Sequence, residues 1–142
     1  MPIDEVSQRP DVGERMMDVL VLSDDLIFSS RVTGTAEAIR LSAKVCRTAD
    51  ELIEHASQER PNCVILDLAH PGLAVVDLVS RLRTLELAPR IVAYGPHVDS
   101  AMLKAARQAG CDLVLTRSQF VERLPHELSA WARRSSWPPD GR

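Results

Sequence analysis

Short apolar runs alternate with segments of helical periodicity along most of the chain, and this alternation constrains the fold more than any other feature. Each run is rich in β-branched residues and lacks polar alternation, which is typical of strands buried on both faces of a parallel sheet. A weaker segment, residues 43–46, alternates as an edge strand does. The four stronger runs are residues 19–22, 63–66, 91–93 and 113–115.

The segments that follow these runs place apolar residues three and four positions apart, which predicts amphipathic helices. Gly110 predicts the end of the fourth helix, because glycine readily adopts the left-handed conformation that terminates helices. Leu124, Leu128 and Trp131 predict a fifth helix with Pro125 in its first turn. Strand and helix thus alternate five times, and right-handed crossovers predict a doubly wound, five-stranded parallel α/β fold. Its expected strand order is the flavodoxin-like 2-1-3-4-5, with the weak second strand at an edge.

Length and composition predict one globular domain. The chain has 142 residues, of which 45% are hydrophobic and 26% charged, and these values are ordinary for a folded domain. We expect residues 1–16 to form a flexible leader, residues 17–133 the domain and residues 134–142 a C-terminal tail. The tails leave no room for a DNA-binding or enzymatic output domain, so a stand-alone protein is expected. The sequence assigns no role to Trp137 in the tail.

Charge and cysteine usage argue against several classes of protein. The net charge of −3 disfavours a nucleic-acid binder that depends on a strong basic patch. No apolar run approaches the roughly 20 residues that span a bilayer, and no signal peptide is visible. Cys46, Cys63 and Cys111 form no paired framework, which fits reduced thiols in a cytoplasmic protein.

The functional site of such a sheet lies beyond the carboxyl ends of its strands, where the strand order reverses. The first strand is followed by Ser23, Asp24 and Asp25, with no glycine to let backbone N–H groups approach a phosphate. This loop therefore disfavours nucleotide binding. Carboxylates that converge at one sheet edge suit a hard cation such as Mg²⁺ instead, and Asp67 follows the third strand.

Three motifs at these strand and helix ends carry a resemblance to a known family. They are PNCVILDLAHPG at 61–72, AGCD at 109–112 and LSDD at 22–25. With these motifs at the expected distances, residues 18 to about 132 resemble the receiver domain of bacterial response regulators. The resemblance implies an aspartate that takes a phosphoryl group from a histidine kinase, with Mg²⁺ bound to acids after the first strand. It further implies a hydroxyl residue after the fourth strand and a lysine after the fifth.

The family's residues carry over only in part onto the first and third strands. Asp67 matches the phospho-accepting aspartate, and Asp24 matches the acid that contacts the metal directly. Ser23 stands where the other acid is expected, so the implied Mg²⁺ site is weakened by one carboxylate. Asp25 is either an accessory acid or a residue that complements the helix dipole. Ala69 would offer its backbone carbonyl to the metal.

The fourth and fifth strands depart further from the family pattern. Counting from Pro89 places Tyr94 at the position of the hydroxyl residue, whereas counting back from Gly110 places Gly95 there. Arg117 stands in place of the lysine. Arginine keeps the positive charge but is a planar fork rather than a point charge.

These departures leave two mechanisms open. In one, Asp67 is phosphorylated and Arg117 grips the phosphoryl group in a bidentate manner. In the other, Asp67 and Arg117 form an ion pair that holds the domain in one state, and the domain docks to partners without phosphorylation. Either way, we expect a signalling module rather than an enzyme, acting on a histidine kinase or another signalling protein. A homodimer through the fourth helix, fifth strand and fifth helix is a further hypothesis.

An enzyme or small-ligand binder on a flavodoxin-like fold is the alternative reading, since a fold does not fix function. His70 and His97 fall on loops at the same sheet edge and, with the acids, offer donors for a transition metal. Ser23 with one of these histidines is a weak candidate for a nucleophile, because no nucleophile-elbow glycines flank the serine. The acidic, glycine-free loop after the first strand favours the receiver reading.

Overall fold

The structure of the protein is a computed structural model that describes residues 17–133. The predicted leader, the predicted C-terminal tail and Trp137 lie outside the described residues.

Five strands form one parallel sheet in the order 2-1-3-4-5, so the predicted fold and strand order are confirmed. The four apolar runs are strands, and the segment at residues 43–46 is the edge strand. The edge strand is only half-buried, which explains why its sequence alternates. The strands are β1 (Val19–Leu22), β2 (Ala43–Cys46), β3 (Cys63–Asp67), β4 (Arg90–Gly95) and β5 (Leu113–Thr116).

Five helices cover the two faces of the sheet. They are α1 (Leu26–Ala38), α2 (Ala49–Glu59), α3 (Val75–Arg83), α4 (Ser100–Ala109) and α5 (Arg117–Trp131).

Neighbouring residues of each central strand point to opposite faces, so the sheet separates two apolar cores. Val64 and Leu66 of β3 join one core with residues of α2, α3 and α4. Cys63 and Ile65 join the other core with residues of α1 and α5. The side chain of Asp67 follows the same alternation and belongs to the α1–α5 face.

The last helix begins earlier than the sequence predicts. It starts at Arg117 because Thr116 and Gln119 form a reciprocal capping box there. Pro125 therefore lies inside the helix and not in its first turn, and that part of the prediction is wrong. Arg117, which directly follows β5 at the carboxyl edge of the sheet, is therefore the first residue of this helix.

Four aromatic rings stack into a column within the α1–α5 core. The ring centroids of Phe28 and Tyr94 are 5.1 Å apart, those of Tyr94 and Phe120 4.4 Å, and those of Phe120 and Trp131 5.8 Å. The chain has two phenylalanines, one tyrosine and two tryptophans, so this column holds four of its five aromatic residues. We refer to these four residues as the aromatic column.

All three cysteines are free thiols. Burial raises the pKa of Cys46 and of Cys63 to about 12 and that of Cys111 to about 11. Within residues 17–133, no helix combines the length and apolar character needed to cross a membrane.

Arg90 at the start of β4 ties the sheet to the end of α5. Its Nη1 donates hydrogen bonds to the carbonyl oxygens of Trp131 at 2.6 Å and Arg133 at 3.1 Å. The residue is buried, with 9% of its surface exposed. Replacing Arg90 by methionine keeps an apolar stem of similar length and removes both bonds.

We therefore expect Arg90→Met to lower the free energy of unfolding by about 2–3 kcal/mol, since hydrogen bonds of buried charged donors are among the strongest. Urea unfolding followed by circular dichroism measures this change. Arg81→Met is the matched control: Arg81 pairs with exposed carboxylates, and its loss should change stability by less than about 0.5 kcal/mol. Equal effects of the two substitutions would contradict the role given to Arg90.

Candidate functional site

The parallel pairing of β1, β3 and β4 brings the predicted acceptor to the carboxyl edge of the sheet. Asp67 is the last residue of β3 and pairs in register with Tyr94 of β4. Only 4% of its surface is exposed. Each carboxylate oxygen accepts one hydrogen bond from the chain: Oδ2 from the Ser23 hydroxyl at 3.2 Å and Oδ1 from the Ala69 N–H at 3.0 Å.

The loop after β1 places its three polar residues in three different environments. Ser23 is 1% exposed, and its Oγ also accepts the Asp25 N–H at 2.9 Å. Asp25 caps α1, because its Oδ1 accepts the N–H groups of Ile27 and Phe28 at 2.9 and 3.1 Å. Asp24 has a side chain that is 52% exposed. Ser23 alone contacts the acceptor carboxylate.

His70 connects the loop after β3 to the loop after β2. Its Nε2 lies 2.6 Å from the carbonyl oxygen of Arg47, and its Nδ1 accepts the Gly72 N–H at 3.1 Å. These partners require the tautomer that carries its proton on Nε2. Asp24 Oδ1 lies 3.9 Å from the same Nε2.

The histidine hypotheses find no support in this geometry. Both ring nitrogens of His70 are engaged, so neither is free to bind a metal or to act as a base toward Ser23. The Ser23 hydroxyl donates to a carboxylate and not to an imidazole. His97 is exposed on the loop after β4. Across residues 17–133, no group of three or more His, Cys, Asp or Glu side chains is arranged to hold a metal ion.

The two candidates for the hydroxyl position on β4 point to opposite faces of the sheet. Tyr94 lies in the aromatic column, on the face to which Asp67 belongs. A Cβ added to Gly95 would lie 3.3 Å from both Leu68 Cβ and Met102 Sδ, among residues of the other core. Tyr94 is therefore the residue of β4 that faces the acceptor.

The Tyr94 hydroxyl is buried and has no hydrogen-bond partner among the described residues. Burial and the neighbouring charge of Asp67 raise the pKa of Tyr94 well above its usual value. Ser23, Asp25 and Arg117 also lie close enough to influence this pKa. The phenol is therefore neutral and lies among the residues of the site, close to the Ser23 side chain.

Arg117 does not form the ion pair with Asp67 that one of the two open mechanisms requires. Within the part of the chain that the structure describes, no carboxylate oxygen lies within 4.0 Å of its guanidinium, and its buried Nε has no hydrogen-bond partner. The guanidinium instead stacks over the ring of Phe28, with Cζ 5.2 Å from the ring centroid, as a cation–π contact does. The capping box of Thr116 and Gln119 makes Arg117 the first residue of α5, at the carboxyl edge of the sheet.

A groove of about 680 Å³ opens beside Arg117, between the loop after β4 and the start of α5. Neither this groove nor the contact of Phe28 with Arg117 was predicted from the sequence. Aromatic residues are rare in this chain, at 4%, and that scarcity was the available signal for Phe28. The groove is lined by Phe28, Pro96, His97, Val98, Arg117, Ser118, Val121 and Glu122.

The acidic residues at this edge fit a divalent cation poorly. Mg²⁺ favours carboxylate and carbonyl oxygens in a near-octahedral arrangement. Here Ser23 replaces one carboxylate, both oxygens of Asp67 already accept bonds from the chain, and Asp24 lies near His70. Binding of Mg²⁺ to Asp24, Asp67 and the Ala69 carbonyl remains a prediction for a weak site.

Comparisons with known proteins agree with this architecture. The model of the response regulator receiver domain family matches residues 19–129. Nodulation protein W of Bradyrhizobium diazoefficiens is 25% identical over 92 residues, which cover 65% of this chain and 40% of that protein. The match thus spans well under half the length of that curated relative.

Two solved structures show the same fold. A response regulator signal receiver domain from Bermanella marisrubri matches with a TM-score of 0.71 and 20% identity, over 84% of this chain and 100% of that chain. A chain matches in the co-crystal structure of the Saccharomyces cerevisiae histidine phosphotransfer signaling protein Ypd1 and the receiver domain of its downstream response regulator Ssk1. Its TM-score is 0.68 at 17% identity, over 83% and 90% of the two chains. The family model spans all five strands and most of α5, and the strand order agrees with it, so this chain belongs to the receiver domain family of response regulators in two-component signalling.

Proposed function

We propose that this receiver domain accepts a phosphoryl group on Asp67 and transmits the signal by protein contact. Two unpaired donors near the acceptor carry this proposal. The Tyr94 hydroxyl and the Arg117 Nε are buried and have no hydrogen-bond partner among residues 17–133. Unpaired buried donors are costly. A phosphoryl group on Asp67 brings three strong acceptor oxygens to this position.

The transfer step follows from the position of the Asp67 carboxylate. A carboxylate oxygen attacks the phosphorus of a phosphohistidine, a P–O bond forms, the P–N bond breaks, and the leaving imidazole takes up a proton. The Ala69 N–H holds the other oxygen at 3.0 Å and fixes the plane of the carboxylate. Arg117 and Tyr94 then offer donors to the charge on the transferred group.

The partner in this proposal is a histidine kinase or a phosphotransfer protein. The structural match to a chain of the Ypd1–Ssk1 complex supports it, because that complex joins a receiver domain to a histidine phosphotransfer protein. A cytoplasmic location and a role without enzymatic output are parts of the same proposal. A homodimer through the face of α4, β5 and α5 remains a prediction.

Docking without phosphorylation is the weaker candidate. Its physical basis was an ion pair between Asp67 and Arg117 that locks the site. Arg117 stacks on Phe28 instead, so no observation favours that lock.

Phosphorylation is tested by incubating the protein with Mg²⁺ and phosphoramidate, whose P–N bond imitates that of phosphohistidine. Intact mass spectrometry should show a gain of one phosphoryl group in the wild type and none in Asp67→Asn, because an amide is not a nucleophile. Asp50→Asn removes an exposed carboxylate on α2 and should leave the adduct unchanged. No adduct in the wild type, or an adduct that survives Asp67→Asn, would overturn the assignment.

Tyr94→Phe should separate the roles of the ring and the hydroxyl. The stacked ring is kept, and removal of an unpaired buried hydroxyl should leave stability unchanged or raise it by up to about 1 kcal/mol. The half-life of the phosphoryl adduct should fall several-fold, because one donor to the phosphoryl oxygens is lost. Urea unfolding and timed mass spectrometry measure the two quantities. An unaltered half-life would show that the hydroxyl does not contact the group.

Arg117→Ala should reduce the yield of the adduct by about tenfold or more, the effect of losing a charge-assisted hydrogen bond to the phosphoryl group. Arg117→Lys keeps the charge and should retain part of the yield, since an ammonium lacks the bidentate fork. Arg107→Ala removes an exposed arginine of α4 and serves as the control. A yield that rises in Arg117→Lys above the wild type would instead indicate that Arg117 blocks the site.

A further inference from the structure

Ser23 is the residue that most distinguishes this site from the expected acidic pair. It is fully buried at 1% exposure, and its backbone N–H donates to the Cys46 carbonyl oxygen at 3.2 Å. Its hydroxyl accepts the Asp25 N–H at 2.9 Å and lies 3.2 Å from Asp67 Oδ2. The hydroxyl proton has two acceptors in reach, Asp67 Oδ2 at 3.2 Å and the Asp25 carbonyl oxygen at 3.5 Å, and the nearer, charged carboxylate is the stronger acceptor. The serine is thus held on several sides, and Asp67 is the nearest acceptor of its hydroxyl proton.

This donor satisfies the oxygen of Asp67 that faces β1. The Ala69 N–H satisfies the other oxygen, so both hydrogen bonds that the buried carboxylate accepts come from neutral groups of the chain. A carboxylate at position 23 would add a like charge beside Asp67, and a cation would be needed to offset their repulsion. The serine removes that repulsion and the need to offset it.

The remaining oxygen donors do not assemble around Asp67 in a way that would favour a cation. The Asp24 side chain is about half exposed, and its Oδ1 lies 3.9 Å from His70 Nε2. The Nε2 proton is already directed at the Arg47 carbonyl oxygen at 2.6 Å. A divalent ion at Asp67 Oδ2 would share that oxygen with the hydrogen bond from Ser23.

We propose that the Ser23 hydroxyl takes the place of the divalent cation in orienting Asp67, so that phosphoryl acceptance by this chain is largely independent of Mg²⁺. The inference rests on the proposed function. During transfer, the hydroxyl turns from Asp67 Oδ2 to a phosphoryl oxygen, where it joins the Arg117 and Tyr94 donors. Ser23 is therefore a positioning residue that sets the metal requirement of the site.

The first arm of the test measures the rate of adduct formation from phosphoramidate in excess EDTA and in saturating Mg²⁺. The wild-type rates in EDTA and in Mg²⁺ should differ by less than about threefold. This corresponds to a difference of less than about 1 kcal/mol in the activation free energy. Ser23→Asp should react at least about tenfold faster with Mg²⁺ than with EDTA, since a cation contributes several kcal/mol where it is required. A wild-type rate that collapses in EDTA would overturn the inference.

Conservative variants separate positioning from simple packing. Ser23→Ala should slow adduct formation by about tenfold at every Mg²⁺ concentration, because one hydrogen bond to a charged group is lost. Ser23→Thr keeps the hydroxyl and should restore most of the rate. Equal rates for alanine and threonine, both folded by circular dichroism, would show that the hydroxyl does not act on Asp67. This comparison holds even where Ser23→Asp fails to fold.

A direct binding measurement distinguishes failure of this inference from failure of the proposed function. Mn²⁺ is the probe, and electron paramagnetic resonance of the free ion reports its binding without any phosphodonor. Ser23→Asp should bind Mn²⁺ at least about tenfold more tightly than the wild type, the gain of one carboxylate ligand. Equal affinities overturn the inference whatever the phosphorylation result. Absence of any adduct with unequal affinities overturns the phosphorylation proposal and leaves the assignment of Ser23 as the metal determinant supported.

Discussion

The parallel register of β1 against β3 is the constraint on which the rest of the site depends. Leu22 pairs with Leu66, so the next residue of each strand, Ser23 and Asp67, meets the other at the sheet edge. No long-range charge attraction is needed to bring the two together. The backbone ladder fixes their approach, and the 3.2 Å hydrogen bond follows from it. A slip of one residue would turn Asp67 toward the other core.

The site combines a polar edge with an unusually concentrated aromatic support. Few aromatic residues are available, yet four of them form the aromatic column, with Tyr94 at the acceptor and Trp131 at the far end. Stacked rings limit the rotamers of one another, which holds the Tyr94 hydroxyl in a buried position. Arg117 completes the arrangement by covering Phe28 at the outer end. The Arg117 charge therefore lies at the carboxyl edge of the sheet, and no described carboxylate oxygen is within 4.0 Å of it.

Much of this architecture could be predicted from the sequence, because strand burial and crossover handedness follow from local patterns. The sheet order, the edge position of β2 and the placement of Asp67 and Arg117 at one edge belong to this class. The choice between Tyr94 and Gly95 could not be made, since counting residues does not show which sheet face a side chain takes. The register of Asp67 with Tyr94 decides it.

Side-chain partners were harder to predict than strand ends. The ion pair between Asp67 and Arg117 was one of two mechanisms left open, because an arginine has several rotamers and the sequence does not show which one it adopts; here Arg117 stacks on Phe28. The hydrogen bond from Ser23 was not predicted, because a serine in place of an acid was counted only as the loss of a metal-binding carboxylate. In the structure, its hydroxyl donates to Asp67. Opposite charges near one edge do not by themselves form a pair.

The hydrogen bonds from Arg90 to the end of α5 connect the two ends of strand β4 to different parts of the molecule. Arg90 and Tyr94 lie on the same strand, four residues apart, which is about 13 Å along an extended chain. The same strand thus faces the acceptor with Tyr94 at one end and donates hydrogen bonds to the Trp131 and Arg133 carbonyl oxygens at the other. A displacement of β4 by a phosphoryl group would be transmitted along its backbone directly to the last turn of α5.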